Sequence, residues 1–521
     1  MATLISLLDK GYFPRELPPP FNTTAFATFA ITKGQNWNKK TWTRCLAHNL
    51  ARPGGLRRPL RIPNPVSYFA LAEILSANWT ALRNHTWAAR LSASRPHVMK
   101  ASSRAVVPRY RYAELPRLKA LRRRSARYIL RTDINQFYPT LYTHTIPWAL
   151  HTKQVCKAAI VAGKGKQLLG NWIDSALQRM NEGQTHGIPI GPDGSLVAAE
   201  ILLAAADQDL LKRCPGLVQG YRYVDDYELS FATLRDAEQV LMELQGVLGT
   251  YELHLNPRKT RVEELPRPLE TGWGSELARY DLRDAGHPVG QRNDLISLFS
   301  RAFEISAQHP EESVLKYAIA RVQNENMHTT GWRAFHNCVL DAVAADPSTL
   351  AAAFGTLHRV SLLGGHAVPA SPLAETFESI ICRHAIRGEG SEVAWALWGA
   401  LAWSVPLSKD AAALVSKMDD NIVALLALDA DTSGLFPKGS VDRQLWTNTA
   451  NQPDVLTSEN WLLAYEANRQ GWLNCPAVAA DHAFSGMRAA GISFYDGSRN
   501  VPQFPNAARG LPGGAIPDHY A

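Results

Sequence analysis

An α+β domain followed by an all-α half is the fold class this sequence predicts, and three observations lead there. Between Val106 and about Glu264, short runs of β-branched and aromatic residues alternate with stretches at helical period. Beyond about residue 290 the strand signals fade, and Ala- and Leu-rich helical segments follow one another. The charge divides near the same place. Arg301 to Ala521 holds 15 Lys and Arg against 22 Asp and Glu, a net of −7, whereas the first 300 residues hold 40 against 25, a net of +15. At 521 residues the chain exceeds what one core usually holds. The expected divisions are an N-terminal arm over 1–60, the α+β domain over 61–290, a helical domain over 291–490 and a flexible tail over 491–521.

Residues 1–60 are rich in Pro, Asn and Trp, with a triple proline at Pro18 to Pro20, and read as an irregular arm. "SYFALAEILSANW" then has helical spacing. "ARYILRTDINQFY" reads as a strand ending at Asp133, "KGKQLLGNWIDSALQRM" as an amphipathic helix and "SLVAAEILLAAADQDLLKRC" as a long helix. "GYRYVDDYELSF" is a hairpin candidate, and "RDAEQVLMELQGVLGTYELHLNPRKTRVEEL" reads helix, turn, strand. In the second half "ESVLKYAIARVQ", "GWRAFHNCVLDAVAAD", "TFESIICRHAI", "SEVAWALWGALAW" and "KDAAALVSKM" are helical without a strict repeat. They predict a bundle or a degenerate, HEAT-like solenoid. The last thirty or so residues are Gly/Pro-rich and read as extended or disordered.

Composition excludes several classes. With 46% hydrophobic and 20% charged residues the chain is ordinary globular material, not a disordered one. Six scattered cysteines without a CxxC pair read as reduced core thiols rather than a disulfide framework or zinc site. The N-terminus lacks a signal-peptide layout, and the longest apolar run, Ala394 to Val405, is too short to span a bilayer. A cytoplasmic protein without a membrane partner is expected. The Trp and Leu content of that run reads as an exposed surface for self-association, hence a homo-oligomer. Lys100 to Arg131 carries eleven basic residues and one acid, Glu114, the electrostatic signature of a polyanion partner. Because "RLKALRRRSARYILR" mixes Arg with Leu and Tyr, part of that block must also pack.

Asp225 and Asp226 lie inside a run of strand formers, against the local propensity, and such conflicts often mark function. Asp133 ends an earlier strand that can pair beside them. Converging carboxylates repel unless cations neutralise them, and hard oxygen ligands suit Mg²⁺, or Mn²⁺ in its place, held partly by substrate phosphates. Two such ions stabilise the attacking and leaving oxygens of a phosphoryl displacement.

"YVDD" resembles the YxDD signature of reverse transcriptases. In the same order as in that family, "TDINQFYP" resembles the first palm motif, "GIPIGPDGSLVAAEIL" the second and "LHLNPRKT" a later one. The wording of the first two motifs and the helical second half are most similar to bacterial abortive-infection, AbiK-like, defence reverse transcriptases. The resemblance covers roughly residues 60–290 at motif level. It implies a right-hand polymerase palm and fingers, with the helical half extending or replacing the thumb, and deoxynucleotide polymerisation in antiviral defence.

The resemblance also implies roles. Asp133, Asp225 and Asp226 would hold the metals, with Ile134 beside them offering backbone groups to metal or triphosphate. Tyr138 would be the gate against a ribose 2′-hydroxyl, Gly187 and Pro189 would line the substrate site, and Lys259 would serve the pyrophosphate leaving group. Lys100, Arg104, Arg109 and Arg111 are candidates for gripping the triphosphate. Members of the group prime DNA on a protein tyrosine or copy an associated non-coding RNA, so Tyr12, Tyr495 and Tyr520 are candidate priming residues in segments expected to be mobile. The implied partners are dNTPs, the DNA product and such an RNA. Taken singly these residues are ordinary: a paired Asp is usually a surface turn, and His186 reads as a packed residue rather than a base. Two other readings are an intron-type or retroelement enzyme, disfavoured by the acidic second half, and a non-catalytic RNA-binding palm scaffold, disfavoured by the intact Asp133, Asp225, Asp226 and Lys259.

Overall fold

The computed structural model describes residues 2–99 and 102–498. Lys100, Tyr520 and the expected tail beyond 498 lie outside the described residues. The first sixty residues are more ordered than their proline content predicts. They form helices Ala2–Asp9 and Thr24–Lys33 and an antiparallel hairpin of Leu46–Ala51 (β1) with Arg57–Ile62 (β2). The aromatic residues decide this, because each can bury a large apolar area. Tyr12 stacks on Tyr68 with ring centroids 4.4 Å apart, and Phe26 meets Phe494 at 5.2 Å. The Asn22 amide donates to the Phe494 carbonyl at 3.1 Å and the Asp496 amide to the Pro20 carbonyl at 2.9 Å. The start of the chain is thus laced to its last described residues, so Ile492, Phe494 and Tyr495 are core rather than tail.

A short pair, Pro96–His97 (β3) with Val107–Pro108 (β4), precedes the main sheet. That sheet contains Tyr128–Asp133 (β5), Gln219–Tyr223 (β6), Asp226–Phe231 (β7) and Arg261–Glu264 (β8) in the order β6-β7-β5-β8, with every pair antiparallel. Tyr227 through Phe231 are all buried, as a strand covered on both sides requires. The amphipathic helix Leu234–Thr250 packs on the sheet and buries Ala237, Val240, Leu244, Val247 and Leu248. Helix Asp193–Arg213 is buried nearly all round through Asp207, so it forms the centre of the domain. The open edge of β6 is covered by residues 91–93: the Arg222 amide donates to the Leu91 carbonyl at 2.8 Å and the Ala93 amide to the Arg222 carbonyl at 2.7 Å.

From Pro288 to Ala489 the regular elements among the described residues are helices. Alternate helices pack side by side. Pro288–Gln308, Thr329–Ala345 and Ala370–His384 form one layer, and Val314–Arg321, Leu350–Gly364, Gly390–Trp403, Asn421–Thr432 and Trp461–Arg469 the other. The helices of this half thus stack in two layers. The expectation of an exposed Trp-rich face is corrected: residues 390–400 are buried throughout, with Trp398 only 1% exposed, because this helix lies in the middle of its layer. The array docks on the β1–β2 hairpin. Both Arg57 Nη atoms donate to the Glu392 carboxylate, His48 Nδ1 meets Asp420 Oδ2 at 2.9 Å, and Asn64 Nδ2 donates to the Leu456 carbonyl at 2.7 Å. No described helix is long and apolar enough to cross a membrane. All six cysteines are free; Cys382 is exposed and Cys338 half-buried, which corrects the expectation of six core thiols.

Candidate active site

β5 and β7 run antiparallel in a register that puts Asp133 opposite Asp226, and β6 pairs Tyr223 with the same Asp226. Asp225 sits in the tight turn between β6 and β7. The Ile134 amide donates to the Asp225 carbonyl at 3.2 Å and the Asn256 amide to the Asp133 carbonyl at 2.8 Å. The turn and the two strand ends are therefore tied through their backbones, and three carboxylates separated by up to 93 residues in sequence meet at one end of the sheet. Lys259 arrives from the segment before β8 and donates to Asp133 Oδ2 at 2.5 Å.

The electrostatics are those of a crowded anionic site. Burial, then the neighbouring charges of Asp226 and Asp133, push the Asp225 carboxyl up to about 8. Burial also raises Asp226, opposed by Lys259, and the effect is weaker because Asp226 opens to solvent at the mouth. Burial pulls the Lys259 ammonium down, but its hydrogen bond to Asp133 and the three carboxylate charges outweigh this and leave it raised, hence fully protonated at neutral pH. Asp133 Oδ1 is buried and has no hydrogen-bond partner among the described residues. An anionic oxygen buried without a donor is what a divalent cation satisfies. Asp133, Asp225 and Asp226 thus fit a divalent metal site.

The remaining predicted residues fall into three groups. Tyr138 and Gly187 belong to one structure beside the carboxylates. Tyr138 is buried, and its carbonyl accepts from the Ile188 amide at 3.0 Å. Gly187 has φ +84°, and a Cβ there would stand 3.1 Å from the Pro139 carbonyl oxygen, so this close turn requires glycine. Gly187 and Pro189 line a cavity of about 540 Å³ together with Pro139, Arg61 and Glu459. His186 stacks on Tyr142 at 4.9 Å, as a packing residue does.

The second group turns inward. Arg104 donates from Nε to Asp193 Oδ1 at 2.9 Å, from Nη1 to the Phe13 carbonyl at 2.8 Å and from Nη2 to the Gly191 carbonyl at 2.9 Å. It pins the start of helix Asp193–Arg213 to the N-terminal segment. The Ile134 amide is likewise committed to Asp225. Tyr12 and Tyr495, expected in mobile segments, are corrected to core residues: the Tyr12 hydroxyl donates to the Pro63 carbonyl at 2.6 Å, and the Tyr495 hydroxyl to Asp429 Oδ2 at 2.6 Å. The third group is exposed. Arg109 lies over the Trp87 ring at 5.3 Å, and Arg111 is exposed next to Tyr112, whose ring meets Tyr223 at 6.1 Å.

Sequence reasoning missed two kinds of residue. Lys119, on helix Leu115–Arg122 of the basic block, acts electrostatically on Asp226 and is itself lowered by burial. Arg123 and Arg131 of the same block both donate to Glu228 on β7, at 2.8 and 3.2 Å, so the block is partly structural. The other omission is a buried ionic cluster under the turn. Arg222 joins Glu200 and Asp207, all fully buried, and only the break in apolar periodicity of the long helix at those two acids signalled it.

Residues 71–287 match the model of the reverse transcriptase (RNA-dependent DNA polymerase) family. This part of the chain is a reverse transcriptase domain, and the protein is a nucleotidyltransferase of that class. Among solved structures, telomerase from Candida albicans in complex with a fragment of telomeric RNA is 13% identical, with a TM-score of 0.31 over 71% of this chain and 67% of that one. Apo telomerase from Candida tropicalis is 11% identical, with a TM-score of 0.32 over 69% and 68%. Superpositions this loose carry no argument about activity or partners. No curated protein matches the chain.

Proposed function

We propose that the protein is a DNA polymerase of a bacterial antiphage defence system, AbiK-like, which adds deoxynucleotides at Asp133, Asp225 and Asp226 on an RNA template or without one. The observation that carries the catalytic part is the pairing of Asp133 with Asp226 beside the Asp225 turn, with Asp133 Oδ1 lacking a donor among the described residues. Mg²⁺ bound there would supply Lewis-acid stabilisation of the attacking and leaving oxygens. The chain's own residues do the rest. The carboxylates orient the reacting groups, Tyr138 stands under the sugar, and the protonated Lys259 delivers a proton or positive charge to the departing pyrophosphate. Lys119, which acts on Asp226, and the exposed Arg109 and Arg111 are the cationic groups this reading assigns to the triphosphate.

The defence assignment rests on the wording "DINQFYP" and "GIPIGP" and on an acidic helical array in place of a basic, duplex-gripping thumb. An associated non-coding RNA is the templating partner this reading allows. Initiation from Tyr12 or Tyr495 would require either to leave the core, so Tyr520 is the candidate that remains of the three. The test is incubation of purified protein with each labelled dNTP, with and without added RNA, and plating of phage on cells carrying the intact gene or its Asp225→Asn form. DNA synthesis and phage resistance, both lost in the variant, support the reading. Synthesis without any effect on phage would reject the defence role.

A further inference from the structure

Val224, between Tyr223 and Asp225, has φ 53°. A β-branched residue in the left-handed region is an outlier that costs of order 1–3 kcal/mol and persists only where its surroundings hold it. Here both of its backbone polar groups are held. The Val224 amide donates to Ser94 Oγ at 2.7 Å, and Arg222 Nη1 donates to the Val224 carbonyl at 2.8 Å. Both holders are fastened to one carboxylate: Ser94 Oγ donates to Glu200 Oε1 at 2.7 Å, and Arg222 donates from Nη1 and Nη2 to Glu200 at 2.8 and 3.2 Å. Asp207 takes the other side of the guanidinium, with Nε at 3.0 Å and Nη2 at 2.9 Å, and accepts from the Tyr227 hydroxyl at 3.1 Å. Ser94, Glu200, Asp207 and Arg222 are all 0% exposed.

A buried ion cluster is a weak stabiliser, since well-packed apolar residues of the same volume commonly do as well or better. Its geometry is informative instead. Three separate pieces of chain, the edge segment 91–94, helix Asp193–Arg213 and β6, converge on the two backbone groups that define one residue's conformation. That residue precedes Asp225. We propose that Ser94, Glu200 and Arg222 are positioning residues that hold Val224 in its left-handed conformation and thereby fix where the Asp225 carboxylate stands relative to Asp133. This rests on the reading of Asp225 as a metal-holding carboxylate.

Ser92 supplies an internal control. It is buried and donates to Glu200 Oε2 at 2.8 Å, but makes no hydrogen bond to Val224. In the full-length protein, nucleotide incorporation is titrated against Mg²⁺ for Ser94→Ala and Ser92→Ala, with a thermal scan of each. Ser94→Ala is expected to raise the half-saturating Mg²⁺ concentration about tenfold, with little change in the KM for dNTP, because losing one buried hydrogen bond releases the turn it controls. Ser92→Ala is expected to lose similar thermal stability while its Mg²⁺ dependence stays near that of the parent. Val224→Gly added to Ser94→Ala should recover most of the Mg²⁺ affinity, since glycine adopts positive φ without being held. Glu200→Gln keeps the shape of the cluster and should shift the Mg²⁺ requirement in the same direction, which preserves the test if Ser94→Ala fails to fold. Equal Mg²⁺ shifts in both serine variants, or none in Ser94→Ala and Glu200→Gln, would overturn the proposal. Incorporation retained by Asp225→Asn would instead remove the metal-site reading beneath it.

Discussion

Replacing Asp225 by Asn should stabilise the metal-free protein at alkaline pH, an unusual direction for a change at a functional carboxylate. Asp225 is held at about 8 in the folded chain, against 3.8 for an unperturbed aspartate. A carboxyl whose folded pKa is raised contributes its full stability below the unfolded value and loses it as pH rises through the folded one. The loss therefore runs from about pH 4 to about pH 8. Four units at about 1.4 kcal/mol each set a ceiling of about 6 kcal/mol, and since solvent reaches the site at Asp226 we expect roughly half of that. Asn fills the same space without the charge and escapes the loss. Thermal scans in EDTA at about pH 5 and about pH 8 test this. The parent should melt several degrees lower at the higher pH, at roughly 2–4 °C per kcal/mol, and Asp225→Asn should melt above the parent there. Added Mg²⁺ should raise the melting temperature of the parent and leave that of the variant nearly unchanged. A variant that melts below the parent at about pH 8 in EDTA would refute the view of Asp225 as a charge destabilised by its neighbours.

Three further outcomes are expected. Lys259→Ala should lower the rate of nucleotide incorporation by about 10²–10⁴, the range for loss of a general acid; single-turnover incorporation measures this. Tyr138→Ala should raise ribonucleotide use relative to deoxynucleotide use in paired incorporation assays, and an unchanged ratio would make Tyr138 a packing residue only. Tyr495→Phe should cost about 1 kcal/mol through the lost bond to Asp429, read by chemical denaturation, and any product that remains protein-linked after denaturation should persist in it.

Much of the site was legible because it is local. The strand ending at Asp133, the Asp225 hairpin, the long helix after Gly187 and the segment carrying Lys259 are each specified by short-range pattern, and antiparallel pairing of the strands then brings the carboxylates together. What was not legible depends on long-range partners. Arg104 looked like a cationic hand for phosphate, but Asp193 waits 89 residues away, and an arginine with a buried carboxylate within reach pairs with it. Tyr12 and Tyr495 looked loose because glycine and proline surround them, yet their rings found a shared aromatic core that no local rule anticipates. The Trp-rich helix Gly390–Trp403 reads as a surface for the same reason: an apolar run shows that a face is buried, not what buries it. The serine clamp on Val224 had no local signal at all, since Ser94 and Val224 are 130 residues apart.

The most direct measurement is a crystal structure of the protein with Mn²⁺ and a non-hydrolysable deoxynucleoside triphosphate, read for anomalous scattering. Two peaks about 3.5–4 Å apart among Asp133, Asp225, Asp226 and the triphosphate are expected, with Lys259 close to the phosphates. A separate cluster among the described residues, His384 with Glu389 and Glu392, is already engaged by the pairing of His384 with Glu389 and of Arg57 with Glu392 and should show no peak. Metal bound at that cluster with none beside Asp133 would contradict the account.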